Sequence, residues 1–279
     1  MAVKEYFLPQ SVDEAVSLLA EHGDSLLVIA GGTIAMPLIN EGISFPEKVM
    51  GLRRAGMNQI SQANGTVTIG ATTTLSQLIE LSAIPLLQEA ARNAAGWSIR
   101  NMGTVGGNIF APPPAGDVAA ALLALDAQLK LVGSNGDRLI SLAEFYTGFM
   151  TNALQPDELL TEIQVPVPAG KTTFIKYGRK QANTPSIVTV AAHLQLDGGK
   201  ISAASIALNG VGAHPFRAQK AEAALTGATL TAETIETAAA AAAEESDPMD
   251  DAVASAWYRR KMVAVFVRRA LTQLMEQED

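Results

Sequence analysis

The stretch Leu26-Leu27-Val28-Ile29-Ala30-Gly31-Gly32-Thr33 closes an apolar run on a double glycine, and Thr104-Val105-Gly106-Gly107-Asn108 repeats the device further along the chain. Leu26 to Ile29 is short, aliphatic throughout and bounded by glycine, the pattern of a buried strand that runs directly into a turn. Glycine takes positive φ without a Cβ penalty, so such turns let backbone N–H groups close in on an anion. Thr33, Thr104 and Asn108 flank the glycines with uncharged hydroxyl and amide donors. The two turns together read as two jaws of a diphosphate clamp. Neither carries the G-x-G-x-x-G spacing of a dinucleotide fingerprint or the lysine of a P-loop, so the two commonest nucleotide motifs are absent.

Composition narrows what the clamp belongs to. The chain has 279 residues, 48% hydrophobic and 17% charged, enough for two globular domains with a large core. Asp126 and Lys130 interrupt its richest apolar stretch, Val118 to Leu131, before it reaches the length of a membrane span. Met1-Ala2-Val3-Lys4-Glu5-Tyr6 lacks the basic and apolar regions of a secretion signal, so a cytoplasmic location is expected. The absence of cysteine excludes disulfides, thiolate metal sites and an iron–sulfur cluster held by this chain. His22, His193 and His214 are scattered without metal-ligand spacing, and no metal site is expected. A net charge of -8 argues against nucleic acid. An anionic ligand on such a protein is held by local backbone dipoles rather than by a basic field.

The order of elements gives an α+β fold. Ser11 with Glu14 reads as a capping box for a helix, Thr74 as the cap of a helix from Leu75, and Pro85 to Ala95 as helical. Asp117 reads as the N-cap of the helix Val118 to Leu125. Strands are expected at Lys48 to Leu52, Thr66 to Ile69, Gln128 to Val132, Arg138 to Ser141 and Glu162 to Val165, with Pro166 and Pro168 marking a boundary. Beyond it Thr173 to Tyr177, Ile187 to Leu196 and Ile201 to Leu208 read as a three-stranded antiparallel sheet, its last hairpin turned by Asp197-Gly198-Gly199. Helices follow at Ala218 to Leu225, Ala232 to Ala243 and Trp257 to Leu274. Residues 1–168 are thus expected to form a first domain of two parts, about 1–55 and 56–168, and residues 169–279 a smaller second one. Arg259, Arg260, Lys261, Arg268 and Arg269 read as a solvated helix face.

Laid out in order, these motifs resemble the FAD-binding medium subunit of molybdenum hydroxylases, of the carbon monoxide dehydrogenase type, and the flavin domain of xanthine dehydrogenases. The resemblance rests on the two glycine turns, Pro114-Ala115-Gly116-Asp117 and Pro156-Asp157-Glu158-Leu159-Leu160. It continues in Leu208-Asn209-Gly210-Val211, Leu225-Thr226-Gly227, Trp257-Tyr258-Arg259-Arg260 and Arg269-Ala270-Leu271. It implies that residues 1–168 bind FAD. Leu27, Val28, Ile29, Ala30, Gly31, Gly32, Thr33 and Ile34 would hold the diphosphate and part of the ribityl chain, with Gly103, Thr104, Gly106, Gly107 and Asn108 gripping from the other side. Asp117 would bond FAD hydroxyls, Leu160 pack on the isoalloxazine ring, and Lys176 stand near its polar edge, with Tyr177 a second candidate for stacking. Thr33-Ile34-Ala35 departs from the family's usual first loop.

The same resemblance implies a role without a catalytic acid or base. The chain would relay electrons within a three-component enzyme, from iron–sulfur clusters on a small subunit to an external acceptor, while a large subunit holds molybdopterin. The assembly implied is a dimer of heterotrimers. The alternative is a self-contained flavin oxidase of the vanillyl-alcohol type, which shares a two-loop FAD domain.

Overall fold

The computed structural model describes residues 3–277. Its first part is a three-stranded parallel sheet with Lys48–Gly51 between Glu5–Phe7 and Leu26–Ile29. The helix Val12–His22 lies over it and buries Ala15, Val16 and Leu19 against Leu26, Met50 and Leu52. Ser11 caps that helix by accepting from the Glu14 N–H at 3.2 Å. The other half of the expected box is displaced by one residue, since the Glu14 carboxylate accepts from the N–H of Gln10 at 2.7 Å rather than from Ser11.

A five-stranded antiparallel sheet follows, ordered Ile60–Ala63, Thr66–Gly70, Leu159–Pro166, Gln128–Gly133, Gly136–Ser141. The edge strand Ile60–Ala63 is exposed at all four positions and so has no apolar alternation to announce it. Thr74 forms a full capping box with Gln77 at the start of the helix Leu75–Ile79.

The C-terminal sheet has the three expected antiparallel strands, Lys171–Gly178, Ser186–Asp197 and Lys200–Asn209, and a fourth, the two-residue Phe216–Arg217. Gly198 and Gly199 turn the long hairpin with φ of 55° and 79°, the left-handed pair that a two-residue turn requires. Helices Gln219–Leu225, Ala232–Glu245 and Ala256–Glu276 cover the outer face.

The inner face meets the helix Asp117–Ala124, which is buried at every position. That helix packs on the helix Pro85–Asn93 at one side and on Ser186–Asp197 and Lys200–Asn209 at the other. Phe174, Ala191 and Ala207 of the C-terminal sheet therefore belong to the same apolar core as Leu122 and Leu123. Burying each such leucine is worth about 1.5–3 kcal/mol. Arg217 adds a polar tie, donating to Asp126 at 2.5 Å and to the carbonyl of Leu123 at 3.3 Å.

The basic C-terminal helix departs from a solvated face at one residue. Arg259 is 1% exposed, pairs with both oxygens of Asp251 at 2.8 and 3.0 Å, and donates to the carbonyls of Ser186, Ile187 and Gly210. Its charge is consumed inside the fold. Among the described residues no helix is long and apolar enough to cross a membrane.

Candidate functional site

The first glycine turn joins the strand Leu26–Ile29 to the helix Ala35–Asn40, with Gly32 at φ +71°. The second opens the short helix Val105–Ile109, capped by Thr104, whose hydroxyl accepts from Gly107 N–H at 3.0 Å. Segment 71–75 fixes this second turn. Val105 donates to the Thr73 carbonyl, Gly106 to that of Ala71, and Leu75 to that of Gly103, each at 2.9 Å. The two turns then meet backbone to backbone: a Cβ on Gly31 would lie 2.0 Å from the carbonyl oxygen of Met102. A side chain there would force the turns apart.

Their hydrogen bonds differ in a way that the glycine pattern alone does not show. Gly103, Val105, Gly106, Gly107 and Asn108 all donate their N–H groups to protein acceptors. Among the described residues, the consecutive N–H groups of Gly31, Gly32, Thr33 and Ile34 donate to none. The free donors for an anion therefore come from the first turn. The second contributes a surface without side chains, a threonine hydroxyl and the Asn108 amide.

A cleft runs past the turns as two lobes of about 540 and 500 Å³ that share Val28, Ala30, Gly107 and Phe110. The larger is lined by Leu27, Ile29, Gly31, Gly32, Thr33, Ile34, Gly103, Thr104 and Asn108, and beyond them by Asp117 and Lys176. The smaller holds Gly106 and Leu160 among Leu19, Leu26, Leu52, Leu154 and Leu159, with Asp24 and Glu158 also in its wall. Leu160 and Lys176, both assigned to the flavin ring by the resemblance, thus line different lobes. Glu158 is held by a bidentate pair with Arg138 at 2.7 and 2.8 Å and by the N–H of Gln155. Arg138 keeps its carboxyl below the ordinary range against a smaller opposing effect of burial.

The charged corner overturns one expectation from sequence. Asp117 does not cap its helix, because Gly116 occupies the cap position at φ 83° and turns the Asp117 carboxylate away from the helix end. Asn108 caps it from a distance instead, accepting from the N–H groups of Val118 at 2.9 Å and Ala119 at 3.3 Å. The carboxylate of Asp117, a residue 5% exposed, accepts from Lys176 Nζ at 2.6 Å, Ser186 Oγ at 2.6 Å and Thr189 Oγ1 at 2.8 Å. The Lys176 side chain is 8% exposed.

Ser186 and Thr189 carried no signal in the sequence. Residues three apart in a regular strand face opposite sides. Here the register shifts between Tyr177 and Gly178, so Ile187 is an extra residue and both hydroxyls reach one carboxylate. Tyr177 faces the other way, stacked on Phe266 at 4.4 Å with its hydroxyl 2.8 Å from that of Tyr258. It lies away from the cleft. Among the described residues no cluster of metal-ligating side chains occurs.

The arrangement fits a molecule with two flat ends joined by a diphosphate, as FAD is. Two lobes meet at Ala30 and Gly107, the run of unpaired N–H groups from Gly31 to Ile34 lines the larger one next to that junction, and the backbone at Gly31 approaches too closely for a side chain.

Comparison with known proteins identifies the family. Residues 2–168 match the family described as FAD binding domain in molybdopterin dehydrogenase, and residues 173–274 the CO dehydrogenase flavoprotein C-terminal domain. The glyceraldehyde dehydrogenase medium chain of Sulfolobus acidocaldarius is 31% identical, over 96% of this chain and 97% of that one. The 6-hydroxypseudooxynicotine dehydrogenase complex subunit alpha of Paenarthrobacter nicotinovorans is 34% identical, over 97% and 94%. Among solved structures, the carbon monoxide dehydrogenase of Hydrogenophaga pseudoflava superposes with a TM-score of 0.94 at 34% identity, covering 98% of both chains. With both domain models matched in order and these relatives covered nearly end to end, the chain belongs to the family of FAD-binding flavoprotein subunits of molybdenum-containing dehydrogenases and hydroxylases.

Proposed function

We propose that the chain relays electrons within a multi-subunit molybdenum hydroxylase in the cytoplasm. It would receive them from iron–sulfur clusters on a small partner subunit and deliver them to an external acceptor, while a large subunit oxidises substrate at molybdopterin. The arrangement favoured is a dimer of heterotrimers. The absence of cysteine supports the division of labour, because the clusters need thiolate ligands from another chain.

The observation that carries the cofactor assignment is the run of free N–H groups from Gly31 to Ile34, which lines the larger lobe next to Ala30, a residue both lobes share. In this reading they hold the diphosphate, with Thr104, Gly107 and Asn108 opposite. The apolar lobe with Leu160 takes the adenine, and the lobe with Asp117 and Lys176 takes the isoalloxazine. Among the described residues Lys176 is the one cation lining the lobes, and reduction adds electron density to the ring. Bound FAD would supply a carrier that takes electrons one at a time, as an iron–sulfur cluster gives them, and passes them on singly or in pairs. The protein's part is to bind it, exclude water from it and place the Lys176 ammonium beside it.

Flavin content of the purified chain tests this. A Cβ on Gly107 would meet only the Thr104 hydroxyl, at 3.0 Å, yet Gly107 lines both lobes. Gly107→Val is therefore expected to fold and to lose flavin. Wild-type flavin content in that variant, or a colourless wild-type protein, would sink the assignment. Co-purification of the chain with a cysteine-rich small subunit and a molybdopterin protein tests the relay, and a flavoprotein that oxidises small alcohols alone would refute it.

A further inference from the structure

The Asp117–Lys176 pair is more tightly built than a contact to a ligand requires. A carboxylate oxygen has room for two donors, and Asp117 Oδ1 receives both the Ser186 and the Thr189 hydroxyl, leaving Oδ2 for the Lys176 ammonium. Ser186 is itself anchored through its backbone, because its carbonyl accepts from the buried Arg259 at 3.0 Å. Thr189 stands directly across the strand pair from Lys176. Rotating the carboxylate would break bonds to three side chains. A lysine otherwise hangs on four rotatable carbons and samples many rotamers.

From this geometry we infer that Ser186 and Thr189 are positioning residues, which orient the Asp117 carboxylate so that it fixes the Lys176 ammonium in the cleft wall. The inference rests on the assignment of that lobe to the flavin ring. Both hydroxyls act through Asp117 and neither touches the cofactor.

The test uses the full chain carrying FAD and reads the flavin midpoint potential by spectroelectrochemical titration. Lys176→Met is expected to lower the potential, since a cation that favours the reduced ring is gone. Ser186→Ala with Thr189→Ala is expected to lower it in the same direction by part of that shift, and to weaken FAD binding about two- to tenfold. In the Lys176→Met background the same two substitutions are expected to add nothing, because they act through a group no longer present. Thr189→Ser keeps the hydroxyl and is expected to keep the wild-type potential.

A wild-type potential in the double variant, with Lys176→Met shifted, overturns the positioning role while leaving the lobe assignment intact. An equal shift with and without Lys176 overturns it too, because the effect would then bypass the ammonium. An unchanged potential in FAD-loaded Lys176→Met overturns the lobe assignment and the inference with it. If the double variant fails to fold, Thr189→Ala alone is judged on the same outcomes.

Discussion

Replacing Gly31 by alanine presses on the tightest contact between the two turns. The new Cβ would sit 2.0 Å from the Met102 carbonyl oxygen, 2.8 Å from its carbon and 3.0 Å from Gly103 Cα, all backbone atoms that cannot rotate away. Ordinary contact begins at 3.4 Å, so 3.4 less 2.0 requires the turns to part by about 1.4 Å. Overpacking of this kind costs about 1–3 kcal/mol. In a chain of this size that lowers Tm by roughly 2–12 °C. Parting the turns also misaligns the four N–H groups of residues 31–34, and weakening a hydrogen bond to a charged group by about 1.5–3 kcal/mol raises Kd roughly ten- to hundredfold. Thermal unfolding of the apo chain and fluorescence titration with FAD give the two numbers. Gly107→Ala is the comparator, expected to keep stability within about 1 kcal/mol while still weakening FAD, since its Cβ meets only a hydroxyl at 3.0 Å. Gly31→Ala with wild-type Tm and wild-type FAD affinity would refute the backbone packing and the assignment of donors built on it.

Three further outcomes are expected. Asn108→Ala removes the acceptor for Val118 and Ala119 and is expected to cost about 1–2 kcal/mol in unfolding, whereas Asn108→Asp keeps the acceptor and is expected to retain stability but lose affinity for an anionic ligand; equal stability of the two variants would contradict the remote cap. The Glu158 carboxyl is held below its ordinary 4.5 by Arg138, so its contribution is present above pH 4.5 and disappears as pH falls through the lowered value; Glu158→Gln is expected to flatten that acid limb of the stability profile. Tyr177→Phe is expected to cost about 1 kcal/mol through its lost bond to Tyr258 and to leave FAD affinity unchanged, and a drop in affinity would place Tyr177 in the cleft after all.

What could be seen in the sequence was local. Ser11, Thr74 and the Asp197-Gly198-Gly199 turn act on residues within three or four positions; Thr74 and the turn do in the fold what their neighbours imply, and Ser11 caps its helix although Glu14 closes the box on Gln10 instead. The glycine turns could be placed because strand and turn are adjacent in the chain. What stayed hidden was long-range or irregular. Asp117 looked like a cap because it precedes an apolar helix, yet its partners lie 59 to 72 positions away and the capping acceptor, Asn108, lies ten positions upstream of Val118, whose N–H it receives. Arg259 looked solvated because its neighbours are cations, and only the folded chain brings the carbonyls of Ser186, Ile187 and Gly210 to it. The difference between the two turns depends on which N–H groups segment 71–75 and nearby carbonyls occupy, and no pattern of glycines carries that.

The helix Asp117–Ala124 has a consequence for how this chain can be divided. The two family matches meet between residues 168 and 173, which invites a cut there for separate expression or for exchanging the C-terminal part with that of a relative. Such a cut would strip the helix of one wall, leaving a fragment with a greasy face and a carboxylate without its lysine and hydroxyls. Chimeras that respect the linker but ignore this helix join halves that share one interior in this chain. The natural unit of exchange is the whole chain.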